Sequence, residues 1–331
     1  MTPAAEGFQH RHAAHCESGV AAAMFTHYGA PLSEAMAFGL SSALSFAYLP
    51  FVKLTGFPLI AYRMPPKFIL KGLSKPFHAR LHFETFRNAQ AGMQRLDALL
   101  TQGKVVGLQT SVFWLPYFPE DMRFHFNAHN LLVYGKDGDD YLISDPVAEH
   151  PQRCASADLQ RARFAKGWLA PKGLLYYPEE IGRTEVTTAA ARKAIIKTTR
   201  IMLGPIPIVG VRGMRMLARK VAKLKPNDEY SLNYVGHIVR MQEEIGTGGA
   251  GFRFLYAAFL QEAADVTGLP QLAILAERLN EIGDGWREFA LQAARMIKGR
   301  EAVDYPKLSV SLFALAARET AFFRNLKRAV N

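Results

Sequence analysis

The sequence predicts an α+β protein in which a mixed strand and helix region is followed by an all-helical one. Three observations support this. Residues 1–178 alternate short β-like runs with helical ones. From Glu179 onward, apolar residues recur at three- and four-residue spacing over long stretches with few strand signals. The chain has 331 residues, more than the roughly 250 at which single cores stop growing. Two domains are therefore expected, 1–178 and 179–331, with the boundary at Pro178, where strand character ends.

A polar N-terminal arm leads into Glu17 to Tyr28, alanine-rich and apolar at helical spacing, and Gly29 and Pro31 stop it. Cys16 thus stands at a helix N-terminus. Strand-like runs follow at Pro58 to Tyr62, Arg80 to Phe83, Val105 to Gln109, Asn130 to Tyr134 and Tyr141 to Ser144, and Leu174 to Tyr177 reads as a closing strand. A helix from Asn88 to Leu100, ended by Gly103, precedes the third. The segment Gly135 to Asp140 is turn chemistry, so the strands on either side form an antiparallel hairpin. Six helices make up the remainder: Thr187 to Met202, Gly213 to Lys223, Leu232 to Glu244, Phe252 to Thr267, Gln271 to Ile297 and Leu308 to Lys327.

Hydrophobic residues make up 49% and charged residues 21% of the chain, enough apolar surface for a folded globular protein. The net charge of +11 favours anionic partners. The densest basic stretch, Arg212 to Lys225, spaces its charges along one solvated helix face, so no nucleic-acid partner is expected. The stretches Glu34 to Val52 and Ile201 to Val211 are too interrupted or too short for a membrane span. Two cysteines, Cys16 and Cys154, are too few for a disulfide scaffold and fit a reducing compartment. With no basic region ahead of an apolar run at the N-terminus, a cytoplasmic location is the expectation.

A thiol at a helix start feels the partial positive charge of unsatisfied N–H groups, which favours the nucleophilic thiolate. The backbone N–H of Cys16, with Gln9, His10 or His12 from the arm, is a source of oxyanion donors for acyl transfer. The same segment offers His10, His12, His15 and Cys16 as zinc ligands, but at spacings that match no standard site. His125 and His129 read HFNAH, without the glutamate of a zinc protease helix. His129 opens one predicted strand and Asp145 follows the next, and antiparallel pairing sets the start of one beside the end of the other. Cys16, His129 and Asp145 are then nucleophile, base and orienter. The alternative is a structural Cys16 in a non-catalytic binding protein.

Further along, the Gly246 to Gly251 turn precedes a helix, so Gly248, Gly249 and Arg253 are candidate contacts for a phosphate or carboxylate. Glu262 on that helix is a candidate partner for an amine substrate.

His15-Cys16-Glu17-Ser18-Gly19, Leu32 to Ala35 with Phe38-Gly39-Leu40, Phe46 to Leu49, Trp114 to Tyr117 and His129 to Pro146 together resemble the butirosin biosynthesis protein H family. Gly246 to Arg253, with Tyr256, Phe259-Leu260 and Glu262-Ala263, resembles the helical domain of unassigned function that often follows it. The resemblance implies a papain-like cysteine peptidase fold, related in outline to C39 peptidases, with a C-terminal α-helical domain. It further implies transfer of an acyl group from the phosphopantetheine thioester of an acyl carrier protein to a small-molecule amine. Cys16 would be acylated, His129 would move the protons and Asp145 would hold the imidazole. No cofactor would be resident, because the phosphopantetheine belongs to the partner. Where related peptidases carry an oxyanion glutamine, six residues before the cysteine, this chain has His10, with Gln9 beside it. Hydrolysis, as a peptidase, amidase or thioesterase, is the alternative within cysteine chemistry. The oligomeric state has no signature in the sequence.

Overall fold

The computed structural model describes residues 4–54, 56–226, 228–244 and 248–330. In chain order, α1 (Cys16–His27) and α2 (Glu34–Leu40) precede a hairpin of β1 (Leu44–Leu54) and β2 (Phe57–Arg63). Then come α3 (Phe68–Leu73), β3 (Ala79–Glu84), α4 (Ala89–Thr101), β4 (Val106–Thr110), β5 (His129–Asp137) and β6 (Asp140–Ser144). After these come β7 (Gln152–Ala155), α5 (Ser156–Arg163) and β8 (Leu175–Ile181). The remainder is helical: α6 (Thr188–Leu203), α7 (Gly210–Val221), α8 (Glu229–Glu243), α9 (Arg253–Thr267), α10 (Gln271–Ile297) and α11 (Tyr305–Val330).

These elements pack as two compact units. One contains the residues up to Ala37 and Ile69–Glu185; the other contains Phe38–Phe68 and the residues from Val186 onward. The expected split at 178/179 is corrected in two respects. Strand β8 continues to Ile181 because it pairs with β3 as far as Ala79. Residues 38–68 belong to the helical unit because the hairpin is fastened to it: Tyr48 N donates to Ile208 O at 2.9 Å, and Phe38 stacks on Phe252 with ring centroids 5.0 Å apart. Gly39 is required there, since a Cβ would fall 1.9 Å from the Phe259 ring.

The first unit is built on an antiparallel sheet of order β3-β8-β4-β5-β6-β7. On one face, Met93, Leu96 and Leu100 of α4 and Leu159 of α5 bury Leu108, Leu131, Val133, Ile143 and Leu175. The alternate residues of β5 face the opposite way, where α1 packs. Every residue of α1 from Cys16 to Phe25 is buried, which explains why it is alanine-rich all round instead of amphipathic. The turn between β5 and β6 is Gly138-Asp139, with Gly138 at φ +62°.

In the second unit, Trp286 is fully buried among Phe46, Tyr62 and Phe289. Ahead of α9, Ala250, Gly251 and Phe252 take left-handed φ values of 49°, 53° and 70°. Two of these are not glycine, a local cost of roughly 1–2 kcal/mol each that burial of the Phe252 ring offsets. Among the described residues, no helix is long and apolar enough to cross a membrane.

Candidate active site

Cys16 is the first residue of α1, and the helix is capped by His15, whose ring nitrogen accepts from Ser18 N. The approach to the helix is clamped by one carboxylate. Glu34 accepts from Ala14 N (2.9 Å), His15 N (2.8 Å) and Ser18 Oγ (2.9 Å). Burial raises the Glu34 pKa, and these three bonds and the nearby His12 only partly counter it. Cys16 is therefore held at a fixed position on a rigid, fully packed helix.

His129 begins β5 because its Cα pairs with Thr110 at the end of β4. The β5–β6 register then sets Leu132 opposite Ser144, and Asp145 follows as the chain leaves the sheet. His129 Nε2 donates to Asp145 Oδ2 at 2.6 Å, and both side chains are buried. The same Oδ2 accepts from Tyr117 Oη at 2.8 Å, while Oδ1 accepts from Val147 N at 3.2 Å. With Nε2 taken by Asp145, Nδ1 is the ring nitrogen left for Cys16, which also hydrogen-bonds the imidazole. Burial alone would depress the imidazole pKa, but the charge and hydrogen bond of Asp145, followed by those of Cys16, outweigh it and raise His129 to about 10. The imidazole is thus built to hold a proton and release it to a group bound beside the sulfur. Phe118 closes one side, edge-on to the imidazole at 5.6 Å.

The structure brings Cys16, His129 and Asp145 together, and of the proposed arm donors it commits His10 to other partners. His10 bridges Ser144 Oγ (2.8 Å) and Ala148 O (3.1 Å), so both its ring nitrogens are occupied in fastening the arm. Gln9 and His12 are exposed. Among the described residues, no cluster of three or more His, Cys, Asp or Glu side chains has metal-site geometry.

Of the substrate-binding expectations in the helical unit, that for Arg253 is corrected. Arg253 is completely buried and spent internally: it pairs with Glu319 at 2.9 and 3.0 Å and donates to Gly251 O at 2.6 Å. The Ala250 N–H after Gly248 and Gly249 donates to Glu243, so that N–H is satisfied by a carboxylate of the chain itself. Gly246 lies outside the described residues, and Glu262 sits half-buried on α9. The second cysteine, Cys154, is buried in β7 and its thiol is pushed up to about 12 by burial and by Asp158 and Asp140, which disfavours the nucleophilic thiolate.

Residues 15–146 match the family described as butirosin biosynthesis protein H, N-terminal, and residues 157–326 match the domain of unknown function DUF4872. The chain belongs to this two-module family. The module matched at 15–146 carries all three of Cys16, His129 and Asp145. A solved structure from Bacillus anthracis described as a C39-like peptidase aligns over 55% of this chain and 98% of its own, at 12% identity and a TM-score of 0.37. No curated protein matches the chain.

Two members of the site were not singled out from the sequence as functional. Tyr117 lies in the Trp114 to Tyr117 run that carries part of the family resemblance, but nothing local says that its hydroxyl reaches Asp145, 28 residues on. Asn130 follows His129 directly, and its side-chain Nδ2 lies 4.0 Å from Cys16 Sγ.

Proposed function

We propose that this member of the butirosin biosynthesis protein H family is a cysteine-dependent acyltransferase that carries an acyl group from a thioester to an amine through an acyl-Cys16 intermediate. The observation that carries the reading is the buried line Cys16–His129–Asp145, with the imidazole held by a carboxylate on Nε2 and its other nitrogen turned to the sulfur. Cys16 sulfur adds to the thioester carbonyl, and collapse breaks the old C–S bond. The leaving thiolate takes the proton from His129. The amine then attacks the acyl-Cys16 carbonyl, His129 accepts its proton, and the C–N bond forms as the C–S bond to Cys16 breaks. Asp145 stays ionised and holds the ring throughout, with Tyr117 fixing the carboxylate.

An acyl carrier protein is the proposed donor, bringing its own phosphopantetheine, with a small-molecule amine as acceptor. Carrier proteins are acidic, and the net charge of +11 suits one. So does an open groove of about 640 Å³ on α6, lined by Arg192, Lys193, Lys197 and Arg200 with no acidic residue. The test is product analysis with an acyl thioester, with and without amines, for the wild type and Cys16→Ala. Amide formed by the wild type alone supports the reading. Free acid formed at the same rate whether or not amine is present makes the protein a hydrolase, and no turnover by either refutes it.

A further inference from the structure

We infer that Asn130 is a fourth member of the nucleophile centre: its side-chain amide donates to the sulfur of Cys16, held in that orientation by Tyr176. This rests on the reading of Cys16 as the nucleophile. Asn130 is buried on β5, on the side of the sheet that faces α1, and its Nδ2 approaches Cys16 Sγ at 4.0 Å. One Nδ2 proton goes to Ala128 O at 3.1 Å, which leaves the other for the sulfur. Tyr176 Oη donates to Asn130 Oδ1 at 2.8 Å. The amide cannot be reversed, because that would set Oδ1 against the Ala128 carbonyl, acceptor to acceptor.

The arrangement is prepared two strands away. Tyr176 sits on β8 opposite Gly107 of β4, and its ring lies across that glycine: a Cβ there would be 2.1 Å from the ring. Without a side chain at 107, the phenol passes over β4 to reach Asn130 on β5. The charged and titratable groups around the sulfur are His129 on β5 and Tyr176 on β8; Asp145 stands behind His129, and the Glu17 carboxylate of α1, which accepts from Ile69 N, acts on Tyr176. Of the partners that reach the sulfur, the Asn130 amide is a donor that cannot lose its proton. It therefore stabilises negative charge on sulfur irrespective of the protonation state of His129.

The experiment is the rate of alkylation of Cys16 by iodoacetamide across pH 5 to 10, in the full chain, for the wild type, Asn130→Ala and Tyr176→Phe, with Cys16→Ala as the blank. A hydrogen bond to a charged acceptor corresponds to a factor of about ten or more in the fraction ionised. Asn130→Ala is expected to react about tenfold more slowly on the rising limb of the pH profile and to approach the wild-type rate at higher pH. Tyr176→Phe, which keeps the packing and frees the amide, is expected to show a smaller change of the same form. Profiles that superimpose on that of a reactive wild type would overturn this inference alone. A uniform loss at every pH would also overturn it, since that reports misfolding or burial. A wild-type Cys16 that reacts no faster than a free thiol would instead remove the proposed nucleophile itself.

Discussion

Replacing Asp145 by asparagine removes one charge and leaves the shape of the site intact. His129 titrates at about 10, against an ordinary 6.5, a difference equivalent to roughly 5 kcal/mol at 1.36 kcal/mol per unit. Burial, the largest influence on it, acts in the opposite direction, and the charge of Asp145 does most to overcome it. Asp145→Asn should therefore lower His129 toward its ordinary value or below. The asparagine amide can also present its NH₂ to Nε2, which would turn the ring to the wrong tautomer and cost about 10³- to 10⁴-fold in turnover. Histidine-ring NMR across pH 5 to 11, with His129→Gln to assign the resonance, measures the shift, and acyl transfer measures the rate. A His129 titration within one pH unit of the wild type in Asp145→Asn would refute the electrostatic account of the site.

Because His129 is raised in the folded state, its contribution to stability is complete below pH 6.5 and is lost as the pH climbs toward 10. Thermal melts should show the midpoint falling across that window, and Asp145→Asn should flatten the fall. Arg253→Met leaves the buried Glu319 carboxylate with the Trp286 indole but without its guanidinium, which should cost about 3–5 kcal/mol in urea unfolding, and the double variant with Glu319→Leu should recover much of it. Gly107→Ala drives a methyl into the Tyr176 ring and should cost about 1–3 kcal/mol, measured the same way. Lys193→Glu with Lys197→Glu reverses charge in the α6 groove. It should slow acylation by a carrier-protein thioester while leaving acylation by a small thioester unchanged, as followed by stopped-time mass analysis.

The local parts of this molecule were readable from the sequence, and the parts that depend on distant pairing were not. Alanine density and the Gly29-Pro31 stop defined α1, and the Gly138 turn defined the β5–β6 hairpin. Period-two pairing then placed His129 beside Asp145, where the 2.6 Å contact is found. The helical periodicity of the second half located α6 to α11 to within a few residues. By contrast, residues 38–68 carry no signal that they pack with helices some 150 residues later. Arg253 reads as a surface cation until Glu319, 66 residues on, neutralises it. His10 matched an expected donor position by count alone, and its ring is instead committed to Ser144 and Ala148. Tyr117 and Asn130 were legible only as polar residues within family motifs, since their partners are set by tertiary folding.

The most direct test of the central claim is intact-mass analysis of the protein quenched within seconds of mixing with an acyl-carrier-protein thioester or a simple acyl thioester. One acyl adduct is expected on the wild type, mapped to Cys16, absent from Cys16→Ala and discharged faster by an amine than by water. A protein that consumes thioester with Cys16 removed, or that carries the acyl group on another residue, would contradict the claim.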